Sequence, residues 1–430
     1  MKIWLVSVYG SVPSDGWRGY RPHVMGEVLS ELGHQVIWWV ANFSHHLKSY
    51  RSQGWGRIEV NPNFDIRLVP TTSYRRNISL ARLWFELVFA WRLYRRARVE
   101  PPPDVILATE PPQSNAFVAA RLARRFSVPL VVDVCDLWQE WFAMALPGWA
   151  RPVAPVLFSP FAALRRMNFR SAQGVTAVSD TYLELARREA PGLPAERYVT
   201  AYTGCDMAGA WQQHLDAEQL QELALRLHKP PGQTWAIYAG GLSDNYDIST
   251  LLEASARLAE LRSPVRILMA GAGPRAREVV KFQRESPAGN LSFVGKLDPE
   301  ELSELYQLCD MAIAAYAPGS TVSMPTKIFD YLGAGLPIVN SLRGECQEFL
   351  ERYGLGRPYT AGDPASLAEA LSRLAGEPGA RAEMSANCLR LAPEFDSRRQ
   401  YAKIGRLLEA LRPAPTAGVS PDAALSLSGS

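Results

Sequence analysis

Two segments run from apolar residues directly into glycines: WAIYAGG at residues 235–241 and VRILMAGAG at residues 265–273. Their apolar parts are rich in β-branched and aromatic residues, which predicts a β-strand in each. A run of apolar residues at helical spacing, residues 248–261, lies between them. Strand, helix and strand in this order are typical of a parallel βαβ unit. The glycines therefore fall at the ends of strands, where such sheets bind their ligands.

The same alternation of strands and helices continues along most of the chain. We predict two parallel sheets, joined near residues 206–232, in a two-lobed α/β protein with a ligand-binding cleft between the lobes. The predicted domains are residues 1–205 and 206–397, followed by a helix near residues 398–411 and a disordered tail at residues 413–430. The predicted strands are residues 3–8, 36–40, 66–70, 105–109, 130–134, 175–178, 198–201, 235–239, 265–270, 291–294, 311–316 and 337–340.

Composition excludes several classes of protein. The 430 residues are 47% hydrophobic and 21% charged, which are ordinary globular values and exclude wholesale disorder and coiled coil. Five scattered cysteines without C-x-x-C spacing argue against a disulfide framework and against a zinc site. The sequence shows no export signal and no membrane span. We therefore expect a cytoplasmic protein, or one attached to a membrane from the cytoplasmic side.

The most informative segment is SMPTKIFDYLGAGLP at residues 323–337. It predicts a short helix on which Lys327 and Asp330 share one face, because they are three residues apart. A lysine at the strand ends can pair with a phosphate, and an aspartate can accept hydrogen bonds from the hydroxyls of a ribose. The amides of Gly240 and Gly241 can also approach a phosphate. These residues indicate a nucleotide site; the alternatives are a surface ion pair and tight turns without a ligand.

Polar residues also follow two strands of the first lobe. Asp136 is a candidate to orient or deprotonate an acceptor hydroxyl, the alternative being an Asx turn or a helix cap. Glu110 ends the neighbouring strand in a similar way, and His45 with the adjacent His46 is a candidate for lining the cleft. Asp-x-Asp, the usual metal motif for nucleotide-sugar substrates, does not occur, and no histidines have the spacing of metal ligands. We therefore predict no metal and no other cofactor.

Two stretches are both basic and apolar. Residues 74–100 hold seven arginines and only two acids around Trp84, Phe85 and Trp91, and residues 149–170 hold four arginines and no acid. This composition predicts a surface that binds anionic lipid. The alternative is a core helix with a basic outer face. No recognised motif for nucleic-acid binding accompanies the charge, so we predict no nucleic-acid partner.

Over roughly residues 1–412, the chain resembles the retaining GT-B glycosyltransferases of group 1, or family 4, and most closely their bacterial O-antigen and capsule branch. The motifs that carry the resemblance are RPH (21–23), LGHQV (32–36), NFSHH (42–46), DLW (136–138), AVS (177–179), YAGGL (238–242), GAGP (271–274) and PTKIFDY (325–331).

The resemblance implies two Rossmann-like lobes and a C-terminal helix, residues 398–412, that crosses back to the first. It implies a nucleotide-diphospho-sugar in the second lobe, with the diphosphate on the Gly240-Gly241 turn and Lys327, the ribose on Asp330 and the base near residues 293–295. It further implies retention at the anomeric carbon without a metal. The predicted site residues are Asp136 and Lys327 for catalysis; Gly240, Gly241, Gly273, Val294, Lys327 and Asp330 for the donor; and Arg21, His23, His45 and Glu110 for the acceptor cleft.

The sequence departs from the family pattern at three places. Many relatives carry two glutamates eight positions apart, and here Val322 and Asp330 stand in those positions. The Arg/Lys pair that often follows the Gly-Gly turn is replaced by Leu242 and the residues 245–247. Cys135 stands where a histidine often ends the strand. Neutralisation of the diphosphate therefore falls more heavily on Lys327.

We predict a hexosyl- or N-acetylhexosaminyltransferase that uses a UDP- or GDP-linked donor. The predicted acceptor is a polyprenyl-diphosphate-linked saccharide, and the protein is expected on the anionic inner face of the cell membrane, in cell-surface polysaccharide synthesis. The alternatives are a nucleotide-sugar 2-epimerase with the same architecture and an inert two-lobed sugar-binding protein.

Overall fold

The computed structural model describes residues 1–16, 21–146, 148–207, 215–286 and 289–412. The tail at residues 413–430, which the sequence predicts to be disordered, lies outside the described residues. The strands divide into two sheets, one formed before residue 206 and one after it. This confirms the predicted α/β fold with two parallel-sheet lobes.

The first lobe is built on an eight-stranded sheet. Its strands are β1 Lys2–Val6, β2 Gln35–Ala41, β3 Gly56–Asn61, β4 Phe64–Val69, β5 Val105–Glu110, β6 Leu130–Val134, β7 Gly174–Ala177 and β8 Tyr198–Thr200. They lie in the order β3-β4-β2-β1-β5-β6-β7-β8, and all neighbours pair parallel except β3, which is antiparallel to β4. The helices are α1 Arg21–Glu31, α2 Leu80–Ala97, α3 Gln113–Phe126, α4 Trp138–Ala145, α5 Ala154–Leu157, α6 Ser159–Ser171 and α7 Asp180–Glu189.

The second lobe has a six-stranded, fully parallel sheet. Its strands are β9 Thr234–Ala239, β10 Val265–Ala270, β11 Leu291–Gly295, β12 Met311–Ala314, β13 Ile338–Asn340 and β14 Gly356–Pro358, in the order β11-β10-β9-β12-β13-β14. The helices are α8 Ala217–Arg226, α9 Ile248–Glu260, α10 Ala276–Glu285, α11 Pro299–Leu308, α12 Thr326–Gly333, α13 Glu345–Tyr353, α14 Pro364–Ala375, α15 Pro378–Leu391 and α16 Ser397–Ala410.

Each sheet is covered by helices on both faces, so successive residues of a strand enter different cores. In β1, Trp4 and Val6 face one core while Ile3 and Leu5 face the other, and all four are fully buried. Burial on both sides explains why these strands appear in the sequence as continuous apolar runs. The carboxyl ends of the strands are the edges left open to ligands.

The C-terminal helix α16 crosses back onto the first lobe, as predicted. Ile404, Leu407 and Leu408 are buried in a first-lobe core. Beside them, the Arg21 guanidinium lies 5.1 Å above the Tyr401 ring. Helix α16 therefore belongs to the packing of the first lobe although it follows the second in sequence.

Two strands were missing from the sequence prediction. Strand β3 is an edge strand that exposes Arg57 and Glu59 to solvent, so it has no continuous apolar run. Strand β14 has only three residues, including Pro358, and forms the other sheet's edge. Neither strand is buried on both faces, and the pattern that reveals the central strands is therefore absent from both.

Candidate active site

The ammonium group of Lys327 lies in a cage of three tyrosine rings. Helix α12 begins directly after Pro325 and turns the Lys327 side chain inward, where only 8% of it is exposed. Its Nζ atom lies 4.1 Å from the ring centre of Tyr238, 4.5 Å from that of Tyr246 and 5.1 Å from that of Tyr316. Aromatic faces attract a cation electrostatically. The charged group is thus held by π-faces from β9, from the β9–α9 turn and from the segment after β12.

The Lys327 ammonium also adjoins the glycine turn after β9. A methyl group added to Gly240 would lie 3.1 Å from the Lys327 Nζ atom. The Tyr238 hydroxyl donates a 2.6 Å hydrogen bond to the carbonyl of Gly241, which ties the turn to the cage. The structure therefore brings together Lys327, Gly240 and Gly241 at the carboxyl end of the second sheet.

No acceptor in the described residues forms a hydrogen bond with Nζ of Lys327. Burial lowers the pKa of Lys327 from its ordinary value to about 7, and the charge of Asp330, one turn further along α12, opposes this shift. A desolvated ammonium without a hydrogen-bond acceptor is costly. An anion placed at this turn would stabilise it.

The glycines after β10 are explained by packing. A methyl group on Gly273 would lie 2.2 Å from the carbonyl oxygen of Leu242, and one on Gly271 would lie 1.8 Å from that of Gly240. The turns after β9 and β10 therefore run side by side, at a distance that excludes any side chain. This accounts for Gly273 without a ligand, and its predicted donor contact stays a prediction.

The two other predicted donor residues lie on helix α12 and on the edge strand β11 of the second sheet. Asp330 is partly exposed on α12, and Val294 is partly exposed near the end of β11. Gly295, which follows Val294, has a positive φ of 78°, so the chain turns sharply there. The assignments of the ribose to Asp330 and of the base to Val294 stay predictions.

In the first lobe, Asp136 follows β6 and makes two local hydrogen bonds. Its Oδ1 accepts from the amide of Leu137 at 2.8 Å, and its Oδ2 accepts from the indole of Trp138 at 3.1 Å. Loss of solvation raises its pKa, while both hydrogen bonds lower it. These two hydrogen bonds are the ones expected for the alternative, an Asx turn or a helix cap. Each carboxylate oxygen still keeps a further lone pair that can accept a hydrogen bond.

His45 belongs to an aromatic cluster that the sequence did not reveal. Its Nδ1 is hydrogen-bonded to the hydroxyl of Tyr74, and its ring centre lies 5.1 Å from that of Tyr9. Tyr9 in turn donates a 2.5 Å hydrogen bond to Glu86. Burial, and after it the charge of Lys48, lower the pKa of His45 to about 3, so the ring is neutral. These side chains come from segments distant in sequence and meet only in the fold.

Arg82 joins this cluster to the Asp136 segment. Its guanidinium lies 4.1 Å above the ring of Trp138, and its Nε donates to the Tyr9 hydroxyl at 2.9 Å. Because Trp138 also donates to Asp136, the ends of β1 and β6 are connected through one arginine.

Arg21, predicted to line the acceptor cleft, forms a buried ion pair with Asp133. Its Nε and one terminal nitrogen donate to the two oxygens of Asp133 at 2.8 and 2.7 Å, and the other terminal nitrogen donates to the carbonyl of Ala201 at 2.6 Å. Burial opposes the ionisation of Asp133, but Arg21 outweighs it and lowers the Asp133 pKa. All three nitrogens are engaged in this buried cluster, and a contact of Arg21 with an acceptor stays a prediction.

His23 and Glu110 both have partners within the first lobe. His23 Nε2 lies 3.3 Å from an oxygen of Glu27 on the same helix. Glu110, at the end of β5, is buried, and one of its oxygens accepts a 3.0 Å hydrogen bond from Asn168. Burial raises the pKa of Glu110 to about 8, so the carboxyl is mostly protonated at neutral pH. Contacts of either residue with an acceptor stay predictions.

Glu345 joins the two lobes beside the site. It begins α13 in the second lobe and accepts 2.8 Å hydrogen bonds from the amides of Asp180 and Thr181, which begin α7 in the first lobe. Ser323, in the loop that leads into α12, donates to the same carboxylate at 2.7 Å. The loop that carries the Lys327 helix is thus fastened to the first lobe.

Among the described residues, no three His, Cys, Asp or Glu side chains are grouped so that they could hold a metal ion. Across the same residues, every helix is too short or too polar to cross a bilayer.

Each of the two lobes matches a known protein family. Residues 20–204 match the glycosyl transferase 4-like domain, and residues 233–377 match the glycosyl transferases group 1. These two matches follow the boundaries of the two sheets. The chain carries both domains of a GT-B glycosyltransferase. No curated protein matches the sequence.

Solved structures share the GT-B fold of this glycosyltransferase. HepE of Anabaena, in complex with UDP and glucose, has a TM-score of 0.63 and 17% identity, with 95% of this chain and 100% of HepE covered. Sucrose-phosphate synthase of Thermosynechococcus elongatus has a TM-score of 0.71 and 16% identity, covering 96% and 99%. WaaG, a glycosyltransferase involved in lipopolysaccharide biosynthesis, has a TM-score of 0.66 and 14% identity, covering 95% and 99%. At these identities the similarity concerns the fold.

Proposed function

We propose that this protein transfers a hexose or N-acetylhexosamine, with retention, from a UDP- or GDP-linked donor to a polyprenyl-diphosphate-linked saccharide. The reaction belongs to cell-surface polysaccharide synthesis, of the O-antigen or capsule type. It takes place on the cytoplasmic face of the membrane and requires no metal. HepE, one of the structural neighbours, binds UDP and UDP-glucose, which supports a nucleotide-linked donor.

The observation that carries this proposal is the Lys327 ammonium at the Gly240 turn. It is buried, it has no hydrogen-bond acceptor among the described residues, and it lies at the carboxyl end of β9. The donor diphosphate occupies this place, and negative charge grows on it as the glycosidic bond breaks. A preorganised cation in a site of low dielectric stabilises that charge.

We also propose that the reaction proceeds without a metal. Lys327 and the backbone amides of the Gly240-Gly241 turn supply the positive charge instead. Turnover in EDTA should equal turnover without it.

Asp136 is the proposed partner of the acceptor hydroxyl. Its carboxylate uses one lone pair on each oxygen for Leu137 and Trp138, so further lone pairs can accept the hydroxyl proton. The raised pKa makes it a stronger base than an ordinary aspartate while it is ionised. The charge of Asp136 helps to raise the pKa of Tyr182, whose hydroxyl donates a 3.4 Å hydrogen bond to the carbonyl of Thr321 in the loop before α12.

Membrane attachment is supported by a helix with two apolar faces. Phe85, Phe89 and Leu93 of α2 are fully buried, four residues apart. On the opposite face, Trp84 is 60% exposed and Trp91 is 56% exposed. The exposed face is therefore not required by the core. In the second basic stretch, Trp149 and Val156 are 84% and 76% exposed. Arginines beside such residues favour an anionic lipid surface.

The experiment that tests the function is a donor-hydrolysis screen. Purified protein is incubated with UDP- and GDP-sugars, with and without a lipid-linked acceptor, and the released nucleotide and the donor epimers are measured. We expect nucleotide release from one donor, stimulated by acceptor and lost in Lys327→Ala but not in Lys281→Ala, which alters an exposed lysine of α10. Epimerisation of the donor without acceptor would support the epimerase instead, and no turnover of any donor would contradict the proposal.

A further inference from the structure

The ammonium group of Lys327 is surrounded by three tyrosine rings and by the charge of one carboxylate. The groups that face it are the rings of Tyr238, Tyr246 and Tyr316 and, from its own helix, the carboxylate of Asp330. Among the described residues, Lys327 Nζ has no hydrogen-bond acceptor, and the charge of Asp330 raises the Lys327 pKa against the effect of burial. The π-faces and the charge of Asp330 therefore both stabilise the buried ammonium.

Two opposing effects set the charge of this lysine. Burial favours the neutral amine, and this lowers its pKa to about 7. The tyrosine faces and Asp330 favour the ammonium ion. Near neutral pH the two forms are close in free energy, so an anion that arrives at Gly240 can decide which one is present.

From this geometry we propose that the three tyrosines are positioning residues for Lys327, and that binding of the donor diphosphate is coupled to the uptake of one proton by this lysine. This inference rests on the proposed function. The proton comes from solvent and forms the third N–H bond of the ammonium ion, which then pairs with the diphosphate. No bond of the donor breaks in this step.

The sign of the pH dependence follows from linkage. The bound diphosphate raises the lysine pKa above its value in the free protein, so proton uptake occurs between these two values. Below pH 6 the free lysine is already protonated and little uptake is expected. At pH 8 the free lysine is mostly neutral, and most of one proton is expected. Donor affinity should fall about fivefold from pH 7 to pH 8 for a free pKa of about 7.

Calorimetry measures this coupling directly. UDP-glucose, UDP-N-acetylglucosamine and GDP-mannose are titrated into the full-length protein at pH 6 and pH 8, in two buffers with different enthalpies of ionisation. The difference in observed heat between the buffers gives the number of protons taken up. These donors have no phosphate group that titrates near neutral pH. We expect uptake at pH 8 and almost none at pH 6 for the donor that binds.

Lys327→Arg is the matched control, because its guanidinium stays charged at pH 8. It should bind the same donor without proton uptake. Lys327→Met is the second control, for the case that arginine does not fit the cage. It should bind the donor weakly and equally at both pH values. Donor binding by the parent without proton uptake at pH 8, or uptake that persists in Lys327→Met, would overturn the inference and leave the proposed function standing. If none of these three binds, the donor identified in the hydrolysis screen is titrated, and failure of every UDP- and GDP-sugar of that screen to bind the parent would overturn the proposed function itself.

The cage is tested at Tyr246, which is the most exposed of the three tyrosines and lies in a turn. Tyr246→Phe keeps the ring and should behave as the parent. Tyr246→Leu removes one π-face, so the ammonium is less stable and donor affinity should begin to fall at a lower pH. Thermal melts show whether both variants fold. Identical pH profiles of donor affinity for the leucine and phenylalanine variants would show that the ring has no positioning role and would overturn this part of the inference.

Discussion

The Glu345 carboxylate in the second lobe accepts a 2.8 Å hydrogen bond from the main-chain amide of Asp180 in the first. The amide of Thr181 and the hydroxyls of Tyr202 and Ser323 donate to the same carboxylate. One side chain therefore caps the N-terminus of α7 from across the cleft, and it carries negative charge to the positive end of that helix. This contact holds the two halves of the site together.

Glu345→Gln should loosen this junction. The amide side chain keeps one acceptor oxygen but loses the charge, so we expect a loss of about 1.5 to 3 kcal/mol, the usual contribution of a hydrogen bond to a charged group. Glu348→Gln, an exposed position one turn further along α13, is the control. Denaturant unfolding at pH 7 measures both variants. Equal stability of the two would contradict the role of Glu345.

The pH dependence of this effect has a definite sign. Burial opposes the ionisation of Glu345, but its hydrogen bonds from Ser323, Thr181 and Asp180 outweigh burial and lower the pKa. A lowered pKa in the folded state gives stability that is complete above the ordinary glutamate value of about 4.3 and is lost as the pH falls through the folded value. The difference between parent and Glu345→Gln should therefore shrink on acidification below about pH 4.3.

Arg21→Met should destabilise the protein strongly. It leaves the Asp133 carboxylate buried without its cation, and removal of one partner from a buried pair costs about 3 to 5 kcal/mol. The double variant Arg21→Met/Asp133→Leu should lose less than the single one, because no uncompensated charge remains. Arg57→Met, at a solvent-exposed pair with Asp65, should leave the unfolding midpoint almost unchanged. A midpoint for Arg21→Met equal to that of Arg57→Met would contradict the structural assignment.

The exposed face of α2 should carry the membrane interaction. We expect Trp84→Ser/Trp91→Ser/Arg95→Glu to abolish co-sedimentation with anionic vesicles, because it removes two exposed indoles and reverses one charge. Phe85 is left unchanged, since it is fully buried in the core and its replacement would unfold the lobe. The matched control Leu225→Ser/Leu261→Ser/Arg284→Glu alters exposed positions of the second lobe. If both variants, or neither of them, lost co-sedimentation with the anionic vesicles, this would contradict a membrane interface at α2.

The sequence predicted the central strands because their signal is local. Strands such as β1 and β9 are buried on both faces, which leaves a continuous apolar run in the chain. Helix register also predicted that Lys327 and Asp330 share one face of α12, whereas the placement of Lys327 beside the glycine turn after β9 was implied only by the family resemblance. The edge strands β3 and β14 have no such run and were missed.

The ion-pair, hydrogen-bond and aromatic partners of the polar side chains could not be predicted from the sequence. Arg21 and Asp133 are 112 residues apart, so nothing local indicates that they form a buried pair. The three tyrosines of the cage come from a strand, a turn and a loop, and no spacing rule connects them. Only the packed fold shows that Lys327 has aromatic neighbours and that His45 is held by Tyr74.

Asp330→Asn should weaken donor binding. The substitution keeps the size of the side chain but removes the charge that accepts the ribose hydroxyls. We expect a loss of about 1.5 to 3 kcal/mol, or roughly 10- to 150-fold in Kd. Calorimetric titration with the donor found in the hydrolysis screen measures this, with Glu285→Gln on α10 as a surface control. Unchanged donor affinity in the folded variant would contradict the assignment of the ribose to Asp330.

The central claim is that Lys327 neutralises the donor diphosphate during transfer, and the turnover of Lys327→Ala tests it most directly. Because charge on the diphosphate grows as the glycosidic bond breaks, we expect kcat to fall by about 100-fold or more, and donor affinity to fall less. Lys281→Ala should retain parental kinetics, and thermal melts should show that both variants are folded. Near-parental turnover in folded Lys327→Ala would contradict this claim and the assignment of the donor diphosphate to helix α12.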